Sequence, residues 1–132
     1  MVMQYLRIVW YGEAALNLAS AVLVWAAPPL FVAAFTSQTV TGMPLELVRW
    51  YGVLLFVLVY LELRALRSGS DVLLRVILEG LLVGDLIQLV TVLWRARATE
   101  TWTPALIFTI VVTIALATAR IVWLTRHPRG LR

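Results

Sequence analysis

The chain has 132 residues, of which 62% are hydrophobic, with a net charge of +4 and no cysteine. Soluble domains carry about 45–50% apolar residues, and a chain this small keeps too much surface to hide such an excess. A soluble fold, disulfides, thiolate catalysis and Cys-based metal sites are therefore excluded, and the composition points to an all-α integral membrane protein. The single histidine, His127, lies in the C-terminal tail, which removes histidine metal sites and proton shuttles from the membrane interior. Neither a metal nor a cofactor is expected. The eleven basic residues are all arginine and flank hydrophobic runs without forming a basic face, so no nucleic-acid partner is expected.

A hydrocarbon core of about 30 Å takes roughly 20 helical residues to cross. Four segments reach that length, at about 5–27, 45–66, 72–94 and 103–124, and they imply one transmembrane domain over residues 1–132. The first segment lacks the short apolar core and small-residue cleavage site of a signal peptide, so it reads as a retained helix. Pro28 and Pro29 end it, because proline lacks the amide donor and disfavours helix in the residue before it. Residues 28–44 remain half apolar, with Leu30, Phe31, Val32 and Phe35, and suit an interfacial segment or a cover over one end of the helices. Ser68, Gly69, Ser70 and Asp71 form a polar turn, with Asp71 as a helix N-cap. Thr103 and Pro104 open the last helix, and Pro128 and Gly130 stop it.

Alternating helices put both chain ends on one side, with Arg7, Arg64, Arg67, Arg75, Arg126, Arg129 and Arg132. The other side carries Arg49, Arg95 and Arg97, offset by Glu46 and Glu100. The excess of arginine predicts cytoplasmic termini, in a bacterial cytoplasmic membrane. Trp10, Trp50, Trp94, Trp102 and Trp123 fall near helix ends, where interfacial aromatics belong.

Residues three, four or seven apart share one helix face. Glu13, Asn17 and Ser20 make a polar stripe on the first helix, and Arg49, Gly52, Phe56 and Tyr60 line up on the second. Gly80, Gly84, Asp85, Gln88 and Thr91 occupy one broad face of the third, and Trp102, Thr109, Thr113 and Arg120 share a face of the fourth. Ionisable groups avoid lipid, so these stripes predict a four-helix bundle with a polar interior. Glu79 lies about 120° round the helix from Asp85 and one turn after Arg75, as in an i, i+4 ion pair. Glu62 lies across from the Arg49–Tyr60 stripe, which suits snorkelling or contact with a second copy.

Asp85 sits near mid-helix with no basic residue one turn away, at a cost of roughly 2.5–3.5 kcal/mol on insertion scales. Arg120 is the only arginine within reach of Glu13, Asp85 or Glu79 and cannot serve all three. An unmatched buried carboxyl stays neutral and can donate a proton. A network that only glues helices together needs one or two polar residues, and Gly80 and Gly84 at small-xxx-small spacing fit that role. The full set is larger than glue requires.

Proton-initiated chemistry on a lipophilic, isoprenoid-class substrate follows: a cyclase or isomerase with Glu13 and Asp85 as acids. Asn17, Tyr60, Gln88, Trp10, Phe56, Arg120 and Glu79 would bind and orient the substrate, with aromatic faces shielding cations. An acid in the first helix paired with EGLLVGDLIQ (79–88) resembles the integral-membrane terpene cyclases of meroterpenoid pathways, and this chain would cover about half of their length. The layout, with ALNLASAVLVWAAP and LVRWYGVLLFVLVYLELR, also resembles small four-helix bacterial membrane proteins of unassigned function. YLRIVWYGEAALN resembles the glutamate-bearing first helix of the small multidrug resistance transporters, which implies Glu13 exchanging protons for a lipophilic cation. Asp85, Glu79 and Arg120 depart from that family's single membrane carboxylate, and its glycine-rich second helix is missing. A third expectation is an accessory subunit whose polar stripes make subunit contacts. Contact with further copies of the chain is compatible with all three.

Overall fold

A computed structural model describes residues 2–99 and 102–127, with side chains described from Arg7 onward. The expectations placed on Glu100, Pro128, Arg129, Gly130 and Arg132 lie outside the described residues. Every regular element among the described residues is helical: α1 Val2–Ala26, α2 Pro28–Ala33, α3 Met43–Ser68, α4 Asp71–Thr99 and α5 Pro104–Arg126. The four longer helices are long and apolar enough to cross a membrane.

Local chemistry explains the boundaries. Ala27, held out of the helical region by the proline after it, separates α1 from α2. Pro28 and Pro29 then occupy the first turn of α2, where a missing amide donor costs nothing. This short helix, unforeseen in the 28–44 segment, buries Pro28 and lays Phe31 against the core of the first helix pair. Helix α3 starts two residues before the apolar run does, because Pro44 fits its first turn. It stops at Gly69, whose φ of +68° is the left-handed conformation that glycine adopts without strain. Helix α4 runs five residues past Trp94, since Arg95, Ala96, Arg97 and Ala98 are mostly good helix formers even where hydrophobicity ends. Thr103 caps α5 by accepting a 3.2 Å hydrogen bond from the Leu106 amide.

The chain divides into two compact units, Met1–Ser70 and Asp71–Arg132. In the first, α1 packs on α3. The inward line of α1 runs Trp10, Ala14, Asn17, Ala21 and Val24, and that of α3 runs Val48, Gly52, Leu55, Val59, Glu62 and Leu66. Both alternate steps of four and three, the 3.5-residue period that keeps one seam facing a partner helix. Gly52 fixes the register. A Cβ there would lie 3.0 Å from the Trp25 backbone nitrogen and 3.1 Å from Val24 Cγ1. Ala21, Val24 and Leu55 form the core beside it, with Phe31, Val48 and Phe56 packed around. Continuing antiparallel from these anchors sets Val59 level with Asn17, Glu62 with Ala14, and Leu66 with Trp10.

In the second unit α4 packs on α5. Leu74, Leu78 and Ala96 are buried on α4, and Leu106, Thr113, Ala117, Arg120 and Trp123 on α5. The described aromatics split in two. Trp50, Trp94 and Trp102 are exposed, as lipid-edge residues should be, but Trp10 and Trp123 are buried. Position near a helix end did not decide this; both lie on inward lines, and Trp123 stacks on His127 with ring centroids 4.2 Å apart.

The seam predicts opposite responses at three glycines. Gly52→Ala forces backbone apart and is expected to destabilise the protein by about 1–3 kcal/mol. Gly80→Ala and Gly84→Ala, where an added Cβ meets nothing within 4 Å, should each stabilise by roughly 0.5–1 kcal/mol through helix propensity. Reversible unfolding in detergent micelles measures all three, and equal effects would refute the close approach at Gly52.

Candidate functional site

On α1 the stripe Glu13, Asn17 and Ser20 coincides with the inward face. Glu13 is 5% exposed, and Asn17 and Ser20 are half-buried. Trp10, one turn before Glu13, is fully buried. On α3 the inward face differs from the expected stripe. Gly52 is buried and Phe56 half-buried, but Arg49 is exposed beside its partner Glu46, and Tyr60 is 62% exposed. The seam set by Gly52 passes instead through Leu55, Val59 and Glu62. Glu62 is accordingly 1% exposed, which corrects its assignment to a snorkelling or outward-facing position.

Polarity does not find Glu62, because the polar stripe of α3 is not its inward side. The signal that finds it is the step pattern itself: Gly52, Leu55, Val59, Glu62 and Leu66 follow the same seven-residue period. Glu62 lies opposite Ala14, the small neighbour of Glu13. Neither carboxyl is without a partner.

In the second unit, Asp85 lies on the line from Leu78 to Ala96 and meets Arg120 from α5, whose Nη1 donates to Asp85 Oδ2. The Arg120 side chain is 0% exposed and that of Asp85 14%. Thr113 and Ala117, the preceding small residues on the inward line of α5, are buried with it. Nearer the chain ends of this unit, Arg75 Nε donates to Glu79 Oε1 at 2.9 Å, and Arg75 Nη1 donates to the His127 carbonyl. This arginine thus holds its own helix neighbour and the C-cap of α5 together.

Gln88 does not share the setting of Asp85. It sits about 60° round the helix and is exposed, as are Gly80, Gly84 and Thr91. The Thr91 hydroxyl returns to its own helix, donating to the Ile87 carbonyl at 2.8 Å. On α5 the Thr109 hydroxyl does the same to Ala105, and Trp102 lies exposed before the helix begins.

The residues singled out in the sequence therefore fall into three settings. Glu13, Trp10, Asn17 and Phe56 belong to the α1–α3 seam, with Glu62 added. Asp85, Arg120 and Glu79 are ion-paired within the α4–α5 unit. Tyr60 and Gln88 are exposed. Among the described residues the buried charged side chains are Glu13, Glu62 and Arg120, with Asp85 and Arg75 half-buried. Among the described residues, no group of three or more His, Asp or Glu side chains is placed to hold a metal ion.

These features define an all-helical protein with four helices long and apolar enough to cross a membrane. Comparison with protein-family models, with curated proteins and with solved structures finds no match to this chain.

The buried ion pair makes its own prediction. Removing one partner strands the other's charge, so Arg120→Gln or Asp85→Asn is expected to destabilise the protein by about 3–5 kcal/mol. The double variant should lose clearly less than the sum of the two. A double-mutant cycle on unfolding in micelles reads this coupling; strictly additive losses would show that the pair does not hold α4 to α5.

Proposed function

We propose that this chain is a membrane-embedded acid–base enzyme acting on a lipophilic substrate of the isoprenoid class, a cyclase or isomerase. Glu13 is the proton-exchanging group. The observation that carries this reading is the burial of Glu13, a carboxyl 5% exposed within an apolar helix and one turn from the fully buried Trp10. A carboxyl shielded from bulk water is suited to hand a proton to a lipophilic substrate. Such a proton is also the reagent that cyclisation and isomerisation need. Glu13 gives it to an epoxide oxygen or an alkene carbon and keeps the electron pair as carboxylate. The substrate cation later loses a proton back to the site. The cycle closes with no external acid, base or oxidant.

In this reading Trp10 forms an apolar wall one turn from Glu13, Phe56 lines the same seam two turns further along α1, and aromatic faces moderate the positive charge. Asn17, one turn further along α1, orients the carboxyl. Asp85 serves by holding Arg120 in place. The resemblance to integral-membrane terpene cyclases, carried by an acid in the first helix paired with EGLLVGDLIQ (79–88), supports this reading. Arg7, Arg64, Arg67, Arg75 and Arg126 lie at the helix ends nearer the termini, which supports both termini on the cytoplasmic side of a bacterial membrane.

One observation favours a second reading, the proton-coupled transporter of the small multidrug resistance type. Asp85 and Glu79 are each matched to an arginine, so two carboxylates that stood against that likeness are neutralised. Against it, Glu62 gives the first unit a second buried carboxyl.

Purified protein in liposomes, supplied with an isoprenoid epoxide, is expected to form a cyclic product. Glu13→Gln should lower turnover by at least about 100-fold, the contribution of a positioned general acid, with helicity and unfolding behaviour retained. Equal turnover in this variant overturns the assignment of Glu13. Absence of product, together with resistance conferred on a drug-sensitive host, selects the transporter.

A further inference from the structure

We infer that α4 carries a self-association surface, on which the exposed carboxamide of Gln88 pairs with the same carboxamide of a second copy of this chain. The inference is independent of the acid–base reading above.

Gln88 lies inside the apolar run of α4 that ends at Trp94, and its neighbours Ile87 and Val90 are 63% and 69% exposed. Its carboxamide has two N–H donors and a carbonyl acceptor. Among the described residues none hydrogen-bonds it. Thr91, on the same side of the helix, is exposed too, but its hydroxyl is satisfied by the Ile87 carbonyl. Hydrocarbon offers a bare amide nothing in return for lost water, so a partner for Gln88 must come from another polypeptide.

The chemistry of this face selects a second copy as that partner. A carboxamide is complementary to itself, since each of two facing amides donates an N–H to the carbonyl of the other. Copies inserted in the same sense present α4 in parallel, and a two-fold axis along the membrane normal brings position 88 onto itself. The face is also uncharged from Ile77 to Thr91. Arg75 and Glu79 pair with each other round the far side of the helix, and Asp85 is turned to Arg120. A charged partner has nothing to grip there, and two identical faces do not repel.

The backbone of α4 is open to a neighbour at the same level. A Cβ added at Gly80 or Gly84 would meet nothing within 4 Å, so no described residue fills the space over them. That clearance lets the second helix come close enough for two side chains at position 88 to touch. Helices crossing near Gly84 splay toward their ends, which carries the two Arg95 side chains apart.

The chain has no cysteine, so single cysteine substitutions report contact between copies alone. Full-length variants in phosphatidylcholine liposomes are oxidised with copper phenanthroline. Gly84→Cys and Thr91→Cys are expected to form disulfide dimers. Leu86→Cys and Val90→Cys, also exposed but on the other flank of α4, should not. Energy transfer between labelled copies across lipid dilutions then reads the strength of association. Gln88→Leu should weaken it by about 10-fold, the loss of two hydrogen bonds between membrane helices. Gln88→Asn, which keeps the amide, should stay nearer the wild type. Equal association of Gln88→Leu and wild type overturns the pairing, as does a wild type that remains monomeric at high protein-to-lipid ratios. Disulfide dimers forming as fast from Leu86→Cys and Val90→Cys as from Gly84→Cys overturn the face. If Gln88→Leu does not fold, the contrast among the cysteine variants decides.

Discussion

A charge placed inside a membrane-spanning helix must find its counter-charge within the protein, because neither lipid nor water is there to supply one. Arg120, with no exposed side-chain surface, is the group on which that constraint acts hardest. Guanidinium stays protonated under any condition a protein meets, so α5 can cross a membrane only with an anion brought to it. Asp85 is that anion, delivered by α4 from the opposite side of the pair. Arg75 works similarly nearer the helix ends, where partial exposure of both it and Glu79 makes the demand weaker.

The α1–α3 unit is built on the complementary problem. Its seam is held by close packing, with Gly52 letting two backbones approach and a seven-residue step pattern keeping them in register. Two carboxyls lie on or beside that seam, and within the unit the described arginines are all exposed. Interhelical hydrogen bonds in membranes contribute on the order of 0.6 kcal/mol each, a small return for burying two acids. A seam selected for adhesion alone would carry leucine or alanine at position 62. A buried glutamate there is costly for packing and calls for polar partners close by.

Much of the helical layout was legible in the sequence because length, hydrophobicity and proline position act locally. Pro28 and Pro104 mark their boundaries by removing amide donors, and Gly69 by its left-handed conformation. The ends drifted where hydrophobicity and helix propensity part company, as at Arg95 to Thr99, and α2 was hidden in a segment too short for periodicity to speak. The inward faces were harder to read. On α1 and α5 the polar residues happen to lie on the packing seam, so polarity pointed the right way for Glu13 and Arg120. On α3 and α4 it did not: Tyr60, Arg49 and Gln88 are polar yet exposed, and Glu62 is polar and buried. Which side of a helix is inward depends on the shape of its neighbour, and that information sits in Gly52 and the spacing around it, not in charge.

The two units bury charge in different ways. In the α4–α5 unit the guanidinium of Arg120 meets a carboxylate from the facing helix, so charge and packing are satisfied in one contact. In the α1–α3 unit the buried acids Glu13 and Glu62 stand on or beside a seam whose register is set at Gly52, where a Cβ would meet the backbone of Trp25. A shift of that register would move Glu62 along α1, so the glycine, and not either acid, sets where the carboxyls stand.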